Sequence, residues 1–247
     1  MADTNEEPKD EERPMPLLLH DCLEGWLDEI EKVSEGTLAG VPTGFADLDS
    51  LTGGLRPSQL TVIGGRGGMG KSTLALNFLR SAAIHNGLPA ALFTLESTRN
   101  EVIEHLQSAE ARVALHHMRS GTMTDEDWAK LGKRIGEVSA APLFIQDQDN
   151  LTYVQIRDQC RAMVEQYDLR LAVVDSINLL TYGTRPFENR YLEISEISRC
   201  LKQLAKELKI SIVAVSQLNR AVETRTDRRP MLADLRDSGT LDRKSVV

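Results

Sequence analysis

The chain has 247 residues, 41% hydrophobic, 27% charged and only 4% aromatic, the composition of a soluble globular protein large enough to bury a substantial core. Its net charge of −8 is uneven: residues 1–35 hold twelve Asp/Glu against three Lys/Arg, which leaves +1 for the rest, so the domain proper is not repelled from a nucleic acid. The acidic, polar start is unlike a signal peptide, and no apolar run approaches the ~20 residues that span a bilayer.

Cys22, Cys160 and Cys200 are few, odd in number and widely separated, which suits reduced thiols rather than a disulfide frame or zinc site. His116 and His117 are adjacent, so on a helix they diverge by about 100° and read as surface histidines. A soluble, cytoplasmic protein is expected.

Residues 1–16 read as a disordered acidic tail. Over 17–35, Leu19, Leu23, Trp26, Leu27, Ile30 and Val33 recur at helical spacing, with Asp21, Glu24, Asp28 and Glu31 between them. This amphipathic linker helix must bury its stripe, either on its own domain or on a neighbouring subunit. After "GVPTGFADLDSLTGGL" the pattern alternates strand and helix. Strands are predicted at Leu60–Gly64, Ala90–Leu95, Leu143–Asp147, Leu169–Asp175 and Ile210–Ser216. Helices are predicted at Ser72–His85, near Asn100–Met118, at Asp125–Val138, and near Thr152–Tyr167 and Tyr191–Leu208. Thr124 and Asp127 resemble a capping box before the third of these. Repeated βα units with strands apolar on both faces predict an α/β fold, a mainly parallel sheet flanked by helices.

"GRGGMGKS", Gly65 to Ser72, fits G-x-x-x-x-G-K-[ST] and stands between a strand and a helix. Backbone N–H groups of Gly65, Arg66, Gly67, Gly68, Met69 and Gly70 can turn around phosphate oxygens, and Lys71, Ser72 and Thr73 open the helix whose N-terminus favours an anion. The pattern assigns Lys71 to the β- and γ-phosphates and the Ser72 hydroxyl to Mg²⁺. Asp175, ending "LRLAVVD", is the candidate second metal ligand; the alternative is a strand-end Asp capping a turn. Glu96, after "AALFTL", is the candidate for activating water; the alternative is a Glu that complements a helix dipole.

"PTGFADLDSLTGGLRPSQL", "FTLE", "SGTMTDEDW" and "EISEISRCLKQLAKELKISIVAVSQLNRAVETRTDRRPMLADLRDSG" occur in this order. Together they resemble the C-terminal motor domain of the DnaB-type replicative DNA helicases, from about Leu17 to Leu241. The resemblance implies a RecA-like P-loop NTPase that uses ATP and Mg²⁺, forms homo-oligomeric, hexameric rings, moves on single-stranded DNA and meets primase or a helicase loader. It makes Lys71 and Ser72 the phosphate-loop pair, Glu96 the catalytic glutamate and Asp175 the metal-side aspartate. Gln217 becomes a sensor between γ-phosphate and DNA, and Arg236, Asp237 and Gly239 become the loop that holds the DNA backbone. The alternative for the Arg-rich run 220–236 is a solvated loop. Phosphate-loop ATPases of the RadA and KaiC type, and a non-catalytic DNA-binding paralogue, are the competing readings.

Two departures stand out. The family's loop is closer to "ARPSMGKT", and its metal-side Asp is commonly followed by "YLQLM" where "SINLL" follows Asp175 here, which leaves the contacts around Asp175 open. Residues 36–241 are expected to form an incomplete motor domain, inactive by itself, because the family continues past "DLRDSG" to further strands and a basic finger. Residues 242–247, "DRKSVV", are expected to be a non-native tail, since a common sequencing adapter translates to these six residues.

Overall fold

Strands that are apolar on both faces are stable only with helices on each side, and the computed structural model has that arrangement. It describes residues 16–34, 40–219, 222, 225–227, 229–231 and 233–235, in two units divided after Thr37. The first holds α1, Leu19–Ser34. On this helix Leu19, Leu23, Trp26, Leu27 and Ile30 are all exposed.

In the second unit α2 (Ala46–Thr52) precedes β1 (Leu60–Gly65) and α3 (Lys71–Leu79), which runs into a π-helical turn at Arg80–His85. There follow β2 (Ala90–Thr94), α4 (Arg99–Ala111), α5 (Leu115–Ser120), α6 (Asp125–Ala140) and β3 (Leu143–Gln146). The chain continues with α7 (Tyr153–Tyr167), β4 (Leu171–Asp175), α8 (Arg190–Leu208) and β5 (Ser211–Gln217). All five predicted strands are present, with ends shifted by one or two residues.

The helices differ from expectation in three places, one being α2, which the sequence pattern does not predict. The helix expected over 100–118 is two helices, because Arg112 adopts a left-handed φ of 53°. The break is closed locally: the Val113 N–H donates to the Ser108 carbonyl at 3.2 Å, and the Ser108 hydroxyl donates to the Val113 carbonyl at 2.6 Å. The helix expected over 72–85 widens in its last turn, where the Asn86 N–H reaches the Ser81 carbonyl five residues back. The capping box at Thr124 and Asp127 is present, and Thr98 with Glu101 and Thr152 with Gln155 repeat it.

The sheet is wholly parallel in the order β1-β5-β4-β2-β3. Period-2 alternation sends successive side chains to opposite faces. Ala172, Val174, Ile212 and Ala214 pack with Ile156, Ile197, Leu201 and Leu204 of α7 and α8. Leu171, Val173, Val213 and Val215 pack with Ala75, Phe78, Val102 and Leu106 of α3 and α4. Four neighbouring strands, β1, β5, β4 and β2, therefore end side by side at one edge, where parallel α/β sheets place their ligand sites. Among the described residues no strand pairs with the outer side of β1. No described helix is long and apolar enough to cross a membrane.

Candidate functional site

The phosphate loop leaves β1 at Gly65 and enters α3 at Lys71. Gly70 takes a φ of 80° at the N-cap of α3, a left-handed conformation that strains any residue with a Cβ. Gly65 is constrained by space instead: a Cβ there would stand 3.0 Å from Lys71 Cγ, so glycine lets the lysine stem fold back over the strand end. Lys71 Nζ donates to the Arg66 carbonyl at 2.9 Å, which keeps the ammonium over the loop. Gly67, Gly68 and Met69 form the exposed tip, and Ser72 and Thr73 lie in the first turn of α3. A cleft of about 310 Å³ is lined by Gly65, Arg66, Met69, Gly70, Lys71 and Pro230. A larger cavity, about 560 Å³, lies along β1 and is lined by residues such as Leu48, Leu55, Thr61 and Phe78. It contains none of Lys71, Glu96, Asp175 or Gln217, so size does not locate the chemistry.

Asp175 ends β4 and is buried. Burial pushes its carboxyl above the ordinary carboxylate range, and the nearby Glu96 charge adds to that, while the Ser72 hydroxyl and the Lys71 ammonium oppose it. Its Oδ1 accepts no hydrogen bond from the described residues. A buried, unsatisfied carboxylate oxygen beside a serine hydroxyl fits a hard divalent cation, which prefers oxygen ligands and repays the cost of burying the charge. Ser72 and Asp175 are the residues that would hold it.

Glu96 lies just past β2 and is exposed. The Ser176 hydroxyl donates to its Oε1 at 2.9 Å. Gln217 ends β5, opposite Gly65 in the register, and its backbone N–H donates to Asn178 Oδ1 at 2.8 Å. Arg190 in turn braces this turn from α8, donating to the carbonyls of Asn178 and Leu180 at 2.8 and 2.6 Å. Lys71, Ser72, Glu96 and Asp175 are thus brought together, with Gln217 on the strand between β1 and β4. Sequence reasoning missed Ser176, Asn178 and Arg190. The first two stand in the "SINLL" segment that departs from the family pattern, which was the available signal.

Arg236, Asp237 and Gly239 lie outside the described residues. The segment before them is anchored. The Asn219 N–H donates to the Asp234 carbonyl at 3.0 Å, and the Met231 N–H donates to Asp234 Oδ2 at 2.6 Å. Arg225 grips the Asp234 carboxylate through both terminal guanidinium nitrogens, with Nη1 2.9 Å from Oδ1. Leu235 is buried, and a Cβ at Gly64 would stand 3.0 Å from its Cδ2.

The DnaB-like helicase C terminal domain family matches residues 40–247. The chain belongs to that family. It is 47% identical over 223 residues to the replicative DNA helicase DnaB of Leifsonia xyli subsp. xyli (strain CTCB07), covering 90% of this chain and 49% of that relative. It is 37% identical over 231 residues to the replicative DNA helicase DnaB of Geobacillus stearothermophilus, covering 93% of this chain and 51% of the relative. The chain therefore spans about half the length of these curated relatives. Among solved structures, the ATPase domain of G40P superposes with a TM-score of 0.83 at 32% identity, over 90% of this chain and 79% of that one. A DnaB-like replicative helicase, described with its interactions with primase, gives 0.83 at 31% identity, over 94% of this chain and 56% of that one. The fold is thus that of DnaB-like RecA-fold ATPase domains.

Proposed function

We propose that this DnaB-family domain is the motor of a replicative DNA helicase, hydrolysing ATP with Mg²⁺ to move on single-stranded DNA and separate the duplex. The observation that carries the reading is the convergence of Lys71, Ser72 and Glu96 on the buried Asp175 at the carboxyl edge of the sheet.

The phosphate loop binds the nucleotide, its glycines admitting phosphate oxygens to the backbone N–H groups while Lys71 pairs with the terminal phosphates. Ser72 and Asp175 would hold Mg²⁺, which would neutralise charge on the phosphoryl oxygens. Glu96 orients the attacking water and accepts its proton. Gln217, able to donate and accept at once, relays the state of the phosphate from the end of β5 to the chain that leads into Arg236, Asp237 and Gly239. Those three grip the DNA backbone, the arginine by charge and the glycine by close approach of its N–H.

A homo-oligomeric, hexameric ring around the strand supplies the repeated grips that translocation needs. The exposed stripe of α1 supports contact between subunits, and the relative described with primase supports a primase or helicase loader as a further partner. Forked-duplex unwinding by the helicase containing this domain tests the proposal. Unwinding should require hydrolysable ATP, and Glu96→Gln should abolish it while nucleotide still binds. Robust unwinding by Glu96→Gln would overturn the role of Glu96, whereas absent unwinding, or unwinding without hydrolysable ATP, would overturn the motor assignment. Arg236→Ala should weaken single-strand binding and reduce its salt slope by about 0.7.

A further inference from the structure

We infer that Ser176 is a positioning residue for Glu96, fixing the carboxylate at the carboxyl ends of β2 and β4 in the orientation that hydrolysis uses. The inference rests on the proposed role of Glu96 as the group that activates water. Glu96 is exposed just beyond β2, and a glutamate on a solvent-facing turn samples many rotamers unless something holds it. Reactions that need an aligned base are sensitive to such dispersion, and a misplacement of 1 Å can cost about 10²-fold.

Ser176 supplies the hold. It is fully buried, and its hydroxyl, which has one proton to donate, is directed to Glu96 Oε1 at 2.9 Å across 80 residues of sequence. The serine itself stands on a rigid base. On one side the Asp175 carbonyl accepts from the Leu95 N–H at 2.6 Å, tying β4 to the residue preceding Glu96. On the other the Ile177 N–H donates to the Val215 carbonyl of β5 at 3.0 Å. One carboxylate oxygen is thereby pinned, and Oε2 is left to take a proton from water. The residue next to the metal-side aspartate thus orients the neighbouring strand's base without touching substrate.

The test compares Ser176→Ala with the near-isosteric pair Ser176→Thr and Ser176→Val in the intact helicase, which differ from each other in a hydroxyl against a methyl. We expect kcat for ATP hydrolysis to fall about 10- to 100-fold in Ser176→Ala, with KM and the dissociation constant of a fluorescent ATP analogue within about twofold. Ser176→Thr should hold kcat at least several-fold above Ser176→Val. Adding Ser176→Ala to Glu96→Gln should cost nothing more. Unchanged kcat in Ser176→Ala, or equal kcat in the Thr and Val variants, would overturn the inference, the latter also if Ser176→Ala does not fold. Full turnover in Glu96→Gln alone would instead overturn the role of Glu96 on which it rests.

Discussion

Asn178 Oδ1 accepts two hydrogen bonds from the end of β5, one from the Gln217 backbone N–H at 2.8 Å and one from the Ser216 hydroxyl at 3.3 Å. Asn178 belongs to the turn after β4, so one amide oxygen fixes the exit of the neighbouring strand and with it the start of Gln217's side chain. Asn178→Ala leaves the buried Ser216 hydroxyl and a strand-end N–H without this acceptor. Stability should fall by about 1–3 kcal/mol, measurable by urea denaturation. If Gln217 relays the phosphate state, DNA stimulation of the ATPase should fall more than the basal rate, with nucleotide affinity within about twofold. Asn178→Asp keeps the acceptor and should recover most of the stability.

Lys71 and Glu96 should separate binding from chemistry. Lys71→Ala removes the cation held over the loop and should weaken ATP binding by at least tenfold if, as proposed, its charge pairs with phosphate in the ground state. Glu96→Gln keeps the shape of the side chain and its acceptor oxygen, so Ser176 can still donate to it. Binding should persist while kcat falls about 10²–10⁴-fold, the range for losing a general base. Isothermal titration with ATP and a single-turnover hydrolysis assay distinguish the two. Loss of binding in both variants would mean that Glu96 shapes the loop instead.

These side chains were legible because the fold advertises them. Each strand is a short, mainly apolar run, and its carboxyl end is where a parallel sheet presents a ligand site. Asp175 is thus placed by its strand end and Gly65 by the G-x-x-x-x-G-K-[ST] pattern, while Gln217 rests on the family resemblance. The missing pieces have non-local or unmarked causes. Ser176 meets Glu96 across 80 residues and Asn178 meets Gln217 across 39, contacts that exist only once β4 lies between β2 and β5. The break between α4 and α5 uses Arg112 in a left-handed conformation, where a glycine would have announced it. The seven-residue α2 ends at Gly53, whose φ is 72°, but is too short for helical periodicity to stand out.

The Arg225–Asp234 pair should act as an acid-sensitive clamp on the segment that leads into the proposed DNA loop. The Arg225 guanidinium holds the Asp234 carboxyl below its usual range, with the Met231 N–H helping. Because the folded-state value is depressed, the stabilisation is present above the unfolded value of about 3.9 and is lost as pH falls through the folded-state value. Limited proteolysis between Asn219 and Leu235 should stay slow at neutral pH and quicken below about pH 4. Asp234→Asn should quicken cleavage at neutral pH and flatten the dependence between pH 7 and 3. Equal cleavage of both proteins across this range would remove the clamp.

The last prediction concerns α1, which presents Leu19, Leu23, Trp26, Leu27 and Ile30 at exposures of 40–77%. Five large apolar side chains on one exposed stripe are a surface that gains by being covered, at roughly 25 cal/mol per Å². If α1 contacts another subunit of the proposed ring, Trp26 should be an anchor, since aromatic residues dominate such interfaces and a hot spot is worth about 2–4 kcal/mol. Trp26→Asp should therefore raise the protein concentration needed for assembly about 30- to 1,000-fold. The melting of the 40–235 core should not move, because that unit has its own two-sided hydrophobic core. Sedimentation velocity across a concentration series, with thermal unfolding monitored in parallel, checks both expectations. Unchanged oligomers in Trp26→Asp would remove α1 from assembly, and a lowered core melting temperature would show instead that its stripe is covered within the same chain.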